Sequence, residues 1–314
     1  MIALVGQSVV DRVKAPGRPW TERLGGSPWF AGQALAATGA PAAILTRGAT
    51  PALRRPLHRL GLPVIVGPGR RSCVSVLRLA SDGSRADEVG GFGEPFTPSD
   101  VAGWMAPALA GARAVVCGAI ARDDFPPETL AALGRERRPV YLDGQGPLRA
   151  RELGPQRLVG PLGPELLRHV TVLKLAEPEA EVALGGVRAD AARALGVPIV
   201  VVTLAHRGAV LLEGGRCTPI AGDPVLGLAD TVGAGDAFLA LMASAMAAGA
   251  PAAVAARLAC LEVAALLRRR LATGAASPGA SEREASRRLD AGPARGAARD
   301  GTPARPRAGA ATRR

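Results

Sequence analysis

Ala229-Asp230-Thr231-Val232-Gly233-Ala234-Gly235-Asp236-Ala237-Phe238 is the stretch on which the fold of this chain turns, because a strongly helical run follows it at once. Small residues at 233–235 let a backbone turn tightly and approach a ligand closely. Their successive N–H groups then stand at a helix N-terminus, where partial positive charge favours a phosphate. Asp236 falls in the first helical turn beside that anion site. A carboxylate there can accept a proton from a hydroxyl while the attacked phosphoryl group rests on the amides. The plainer alternative is a glycine turn whose aspartate only favours the helix start. A dinucleotide fingerprint fits worse: the third glycine is missing, and the stretch lies late in the chain after a polar loop rather than a strand.

Working outward, Ala237 to Ala256 carries no charge and is long enough to span a bilayer. It is mostly alanine, and Gly249-Ala250-Pro251 interrupts it, so two buried helices joined by a turn are predicted. Met1 to Gly6 is too short an apolar run for a signal peptide, and a cytoplasmic protein with no membrane partner is expected. Of the 314 residues, 48% are hydrophobic but only 3% aromatic, so a sizeable core must be built from Ala, Val and Leu. The net charge of +12 suggests anionic partners at first sight. The excess is almost all arginine, gathered at Arg268-Arg269-Arg270 and beyond Ala291, with no basic stripe interleaved with aromatics. A solvated surface and a basic tail are the simpler account, and a nucleic-acid site is not expected. Cys73, Cys117, Cys217 and Cys260 are far apart, and His58, His169 and His206 form no cluster, which argues against zinc and against a disulfide framework.

Apolar strands alternate with helical runs along the chain. Strands are predicted at Ile2–Gly6, Ala42–Thr46, Ala114–Gly118, Val140–Asp143, Val172–Leu175, Pro198–Thr203 and Val210–Glu213. Helices are predicted at Ser27–Gly39, Ser99–Leu109, Pro127–Gly134, Glu177–Leu184 and Ala189–Leu195. That alternation implies a mostly parallel sheet covered on both faces. Ser72–Ala80 and Ser84–Gly90, separated by Asp82-Gly83, read instead as an antiparallel hairpin, a small flap at the sheet edge. Ser281-Glu-Arg-Glu284 is a capping box that would start a last helix near Leu289. Past Ala291 no apolar periodicity is left, and a disordered tail is expected.

Asp230-Thr-Val-Gly-Ala-Gly-Asp-Ala-Phe238 resembles the C-terminal signature of the PfkB (ribokinase-like) carbohydrate kinases, D-T-x-G-A-G-D-x-F, with Val232 where a second Thr is common. Gly25-Gly26-Ser27-Pro28-Trp29-Phe30 through Gly39-Ala40 is similar to the second family signature. There Phe30 replaces the Asn that many members carry. Val5-Gly6 to Asp11 is similar to the family's first strand and its substrate-contacting Asp. The resemblance implies an α/β, three-layer ribokinase-like fold, with a mostly parallel central sheet and a small β flap acting as a lid. It places the kinase domain at 1–290, with flap segments near 12–26 and 72–90, and the tail at 291–314.

The same resemblance implies roles. Asp236 would be the catalytic base, and Gly233, Ala234 and Gly235 the anion hole. Asp11, Gly25 and Gly26 would hold substrate hydroxyls, with Phe30 beside them. A carboxylate can accept two hydroxyl hydrogens, and glycines let a ring lie against the backbone. Thr203-Leu-Ala205-His-Arg-Gly208 resembles the nucleotide loop T-L-G-x-x-G, with Ala205 in place of the first glycine. Lys174-Leu-Ala-Glu177-Pro-Glu179 is similar to the segment around N-x-x-E, with Ala176 in place of Asn. Lys174, Thr203, Ala205 and Gly208 are thus expected at ATP and Glu179 at Mg²⁺, although acidic residues at a helix start also explain Glu177 and Glu179. Asp230 is either a turn residue or a ligand for a monovalent cation. Tyr141-Leu-Asp143-Gly-Gln-Gly-Pro-Leu-Arg149 resembles a feature of the branch that includes inositol kinases. It tilts the expected small-molecule substrate from pentoses towards cyclitols or unusual sugars. Flaps of this kind often pair between subunits, which allows a homodimer. Two other functions stay open: a catalytically weak nucleotide or sugar sensor, suggested by Phe30, Ala176 and Ala205, and a nucleic-acid-associated protein acting through the arginine-rich tail.

Overall fold

The computed structural model describes residues 1–80, 85–225 and 231–273. Its strands, in chain order, are β1 (Ile2–Gln7), β2 (Val9–Lys14), β3 (Thr21–Gly25), β4 (Ala42–Arg47), β5 (Val64–Val66), β6 (Cys73–Leu79) and β7 (Arg85–Gly91). They continue with β8 (Ala114–Gly118), β9 (Val140–Asp143), β10 (Gly154–Pro155), β11 (Val172–Ala176), β12 (Ile199–Thr203), β13 (Gly208–Glu213) and β14 (Arg216–Ala221). The helices are α1 (Ser27–Ala37), α2 (Pro51–His58), α3 (Pro98–Ala102), α4 (Ala106–Leu109) and α5 (Pro127–Leu133), then α6 (Pro164–Leu167), α7 (Glu177–Leu184), α8 (Ala189–Ala194), α9 (Ala234–Ala247) and α10 (Ala252–Ala272).

A nine-stranded sheet runs β14-β13-β12-β11-β9-β8-β1-β4-β5. Every pair from β12 to β5 is parallel, and only β13 and β14 add antiparallel rungs at one edge. Side chains alternate between the two faces of a strand, and the strands carry two separate cores accordingly. Ile2, Leu4, Ala42, Ile44, Val116, Tyr141 and Val201 pack under α1, α9 and α10. Their neighbours Ala3, Val5, Ala43, Leu45, Cys117, Leu142 and Val202 pack against residues of α3 to α8. This is why the strands read as unbroken apolar runs. Small residues let the helices sit low on the sheet: a Cβ on Gly32 of α1 would lie 2.8 Å from Cδ1 of Ile44.

The second sheet is larger than the expected hairpin. It has five strands in the order β10-β7-β6-β2-β3. β6 and β7 pair antiparallel as expected, while the Asp82-Gly83 turn lies outside the described residues. The additions are β2, into which β1 continues across the single residue Ser8, β3, which pairs antiparallel with β2, and β10, which pairs antiparallel with β7. Asp11 is therefore a flap residue, at the root of the lid.

One expected helix is broken. Ser99–Leu109 becomes α3 and α4, because Gly103 takes a non-helical conformation (φ −94°, ψ −109°). Trp104 then donates its indole N–H to Asp100 at 2.9 Å. The uncharged run 237–256 is two helices, α9 and the start of α10, turning at 248–251. No helix among the described residues is long and apolar enough to cross a membrane. The capping box at Ser281, the tail, Ala229 and Asp230 lie outside the described residues.

Candidate active site

The C-terminal ends of β9, β11 and β12, the starts of α1 and α9, and the root of the flap converge at the edge where open α/β sheets hold their ligands. Gly233 caps α9 with φ +79°, in the left-handed region that only glycine enters freely. A Cβ there would also lie 2.1 Å from Cγ of Phe30, so the loop rests on that ring. Ala234 donates to the carbonyl of Thr231 at 3.1 Å, which closes the turn. The first N–H groups of α9 have no acceptor within the helix, and Asp236 stands in that turn.

The two sequence signatures meet at Asp236. Ser27, the first residue of α1 after the diglycine, hydrogen-bonds the Asp236 carboxylate, and Asp143, Lys174 and Arg149 are its charged neighbours. Asp236 keeps partial contact with solvent. Burial by the surrounding protein, with the nearby charge of Asp143, nevertheless pushes its carboxyl up to about 6, against the opposing pull of Ser27, Lys174 and Arg149. A base poised there is ionised at neutral pH and still basic enough to take a proton.

Lys174, expected at ATP, lies beneath the glycine loop. A Cβ on Gly235 would come within 2.8 Å of its Nζ. Its ammonium donates to both carboxylate oxygens of Asp143, at 3.1 and 3.0 Å. Burial opposes the charge, but Asp143, Glu179 and Asp236 together outweigh it and hold the lysine protonated well above its ordinary range. Asp143 also accepts from the Gln145 N–H at 3.0 Å, which folds the strand end into a turn. The Gln145 amide oxygen faces the Arg149 guanidinium.

The other expected residues fall into three groups. Asp11 is buried, with Arg23 Nε at 3.7 Å across the β2–β3 rung. Its carboxylate lies so close to Gly25 that a Cβ there would be 2.3 Å from Oδ2, and Gly26 has φ +96° with no room beside the Gln7 carbonyl. Phe30, expected to face the acceptor, is instead 4% exposed and turned onto Gly233, with the Arg270 guanidinium 5.9 Å from its ring. Thr203, at the end of β12, donates to the Leu175 carbonyl at 3.3 Å. Ala205 adopts φ +52°, so it keeps the backbone of the glycine it replaces. Gly208 has φ +101°, and a Cβ there would strike the Ile220 carbonyl at 2.2 Å.

Glu179 is buried, and its Oε2 accepts from the Ala176 N–H at 2.6 Å, so it caps α7. Burial pushes its carboxyl up, against the pull of Lys174. Glu177 pairs with Arg207 instead, tying α7 to the loop after β12. Ser27, Asp143 and Arg149 were not among the expected site residues. The serine carried no signal beyond its place after the diglycine, and the polar strand end 143–149 pointed only to the sheet edge.

Residues 152–279 match the family described as pfkB family carbohydrate kinase. No curated protein matches the chain. Among solved structures, the sulfate complex of a pyrophosphate-dependent kinase in the ribokinase family is 19% identical with a TM-score of 0.72, covering 85% of this chain and 95% of that one. A pyrophosphate-dependent kinase in the ribokinase family complexed with a pyrophosphate analog and myo-inositol is 19% identical with a TM-score of 0.70, over 85% and 95%. Arabidopsis thaliana ribokinase complexed with ribose and ATP is 20% identical with a TM-score of 0.66, over 85% and 92%. The three-layer fold is the ribokinase-like one, and the resemblance to PfkB kinases is upheld over residues 152–279, which hold the C-terminal signature.

Proposed function

We propose that this ribokinase-like chain transfers the terminal phosphoryl group of ATP to a hydroxyl of a sugar, cyclitol or related polyol. The observation that carries the reading is the meeting of the two signatures at Asp236. A carboxylate titrating near 6 stands in the first turn of α9, bonded to Ser27 and next to a glycine loop at the helix N-terminus.

Asp11 accepts hydrogen bonds from acceptor hydroxyls, and Gly25 and Gly26 let the acceptor ring approach the backbone. Asp236 takes the hydroxyl proton as the oxygen attacks the terminal phosphorus. The bond from phosphorus to the leaving oxygen breaks, and its electron pair leaves with the donor as ADP. Gly233 and Gly235 present N–H groups to the oxygens of the group in flight, while Ala234, whose N–H closes the turn onto Thr231, fixes the loop that carries them. Closure of the flap excludes water, the competing acceptor.

Thr203, Ala205 and Gly208 form the loop that would bear on the nucleotide, and Lys174, lying under the anion loop, would reach phosphate rather than base. Among the described residues no group of three or more ligating side chains is gathered for a metal. Mg²⁺ keeps several waters and is held largely by substrate phosphates, so a single protein carboxylate would be enough. Glu179 is the carboxylate that would assist it. When bound, the ion neutralises charge on the phosphates.

The test is product formation, followed by mass spectrometry, from ATP or pyrophosphate with a panel of ribose, fructose, myo-inositol and a nucleoside. Transfer from ATP to at least one polyol is expected. Transfer from pyrophosphate alone would replace the donor, and no product from either donor would overturn the kinase reading.

A further inference from the structure

Resting on that kinase reading, we propose that Lys174 is the fixed cation of the anion hole and that Asp143 is the positioning residue that holds it there. Lys174 and Lys14 are the only lysines in the chain. The side chains of Lys174 and Asp143 are 5% and 4% exposed, with Nζ and Oδ2 3.0 Å apart. A pair so deeply buried stabilises a fold little better than two apolar groups of the same volume. Its location is therefore the informative fact.

The ammonium lies against the loop itself, since a Cβ on Gly235 would be 2.8 Å from Nζ and 3.3 Å from Cε. Its charge adds to the partial charge of the α9 N-terminus, in surroundings where electrostatic interactions are stronger than in water. A lysine free to move would swing onto the Asp236 carboxylate and quench the base. Asp143 prevents this by engaging the ammonium with both oxygens, while its own turn is pinned by the Gln145 N–H.

The charged groups that face Asp236 come from two strand ends: Asp143 and Arg149 after β9, and Lys174 on β11. Glu179 of α7 also acts on Lys174, and Ser27 of α1 supplies the hydrogen bond. Asp143 opposes ionisation of Asp236, while Lys174 and Arg149 favour it.

The experiment compares wild type, the double variant Asp143→Leu/Lys174→Met, Asp143→Asn and Asp236→Asn in the full chain. The double variant replaces the ion pair by apolar groups and should melt within a few degrees of wild type. Its kcat should fall about a hundredfold or more, the scale of a lost anion-hole group, while the acceptor KM moves by no more than roughly threefold. Asp143→Asn should lower kcat and move the acid limb of the pH–kcat profile to lower pH, because a like charge beside Asp236 is gone. A folded double variant with wild-type kcat would overturn the proposal, as would Asp143→Asn with unchanged kcat and acid limb. Should the double variant not fold, Asp143→Asn alone decides. An inactive Asp236→Asn beside a fully active double variant would leave the kinase reading intact and remove only this one. Absence of transfer by wild type would remove both.

Discussion

Replacing Asp236 by asparagine should abolish turnover and, at neutral pH, make the protein more stable. The carboxyl titrates near 6 inside the fold against an ordinary 3.8. Ionising it in place therefore costs at most about 3 kcal/mol relative to water. Partial solvent access reduces that, and about 1–2 kcal/mol is the working figure. The sign follows from which state binds the proton more tightly. Below about pH 3 both the folded and unfolded chains are protonated at this site, and the penalty vanishes. As pH rises towards 6 the unfolded chain is already ionised while the folded chain must give up a proton it holds more tightly, so stability is lost. Asparagine keeps the acceptor for Ser27 and never ionises. The variant should melt roughly 2–8 °C higher than wild type at about pH 8 and no higher at about pH 3. Its kcat should fall a hundredfold or more, the scale of lost base catalysis. Wild-type kcat should itself fall tenfold per pH unit below 6. Melting curves at the two pH values and a pH–kcat profile check all three. A variant less stable than wild type at pH 8, or a wild-type acid limb near 4, would refute the reasoning.

Gly233→Ala forces a left-handed alanine against Phe30, and should cost about 2 kcal/mol or more in urea unfolding. Adding Phe30→Ala should relieve the clash and leave only the backbone cost; failure of the pair to couple would show that the ring does not support the loop. Ala205→Gly should stabilise by up to about 1 kcal/mol, since φ +52° suits glycine better, and a loss of stability in the same assay would contradict it.

The central sheet was legible because each of its strands is an unbroken apolar run between turn residues, and burial on both faces is the one arrangement that uses such a run. The place of Asp236 in a first helical turn was legible because small turn-forming residues run straight into a strongly helical stretch. From the residues alone the flap was legible only in its hairpin; its segment near 12–26 came from the family resemblance. β2 and β3 are short and mixed in polarity, and their pairing joins β1 to a sheet whose other strands lie beyond residue 72. Ala205 departed from the expected glycine, and its residue type alone gave no sign that the positive φ would be kept.

What the sequence by itself determined are properties set by neighbours along the chain: apolar periodicity, turn chemistry, and a small-residue loop at a helix start. What only the tertiary structure decided are contacts between residues remote in the chain. Ser27 reaches Asp236, Lys174 is clasped by Asp143 beneath Gly235, and Phe30 turns onto Gly233 rather than towards the acceptor. The physical reason is that a charge or a ring has no fixed surroundings until the sheet brings strand ends together. Lys174 in an isolated β11 is an exposed cation; in the folded sheet it is a buried one, with its partner chosen by the register of β9 against β11.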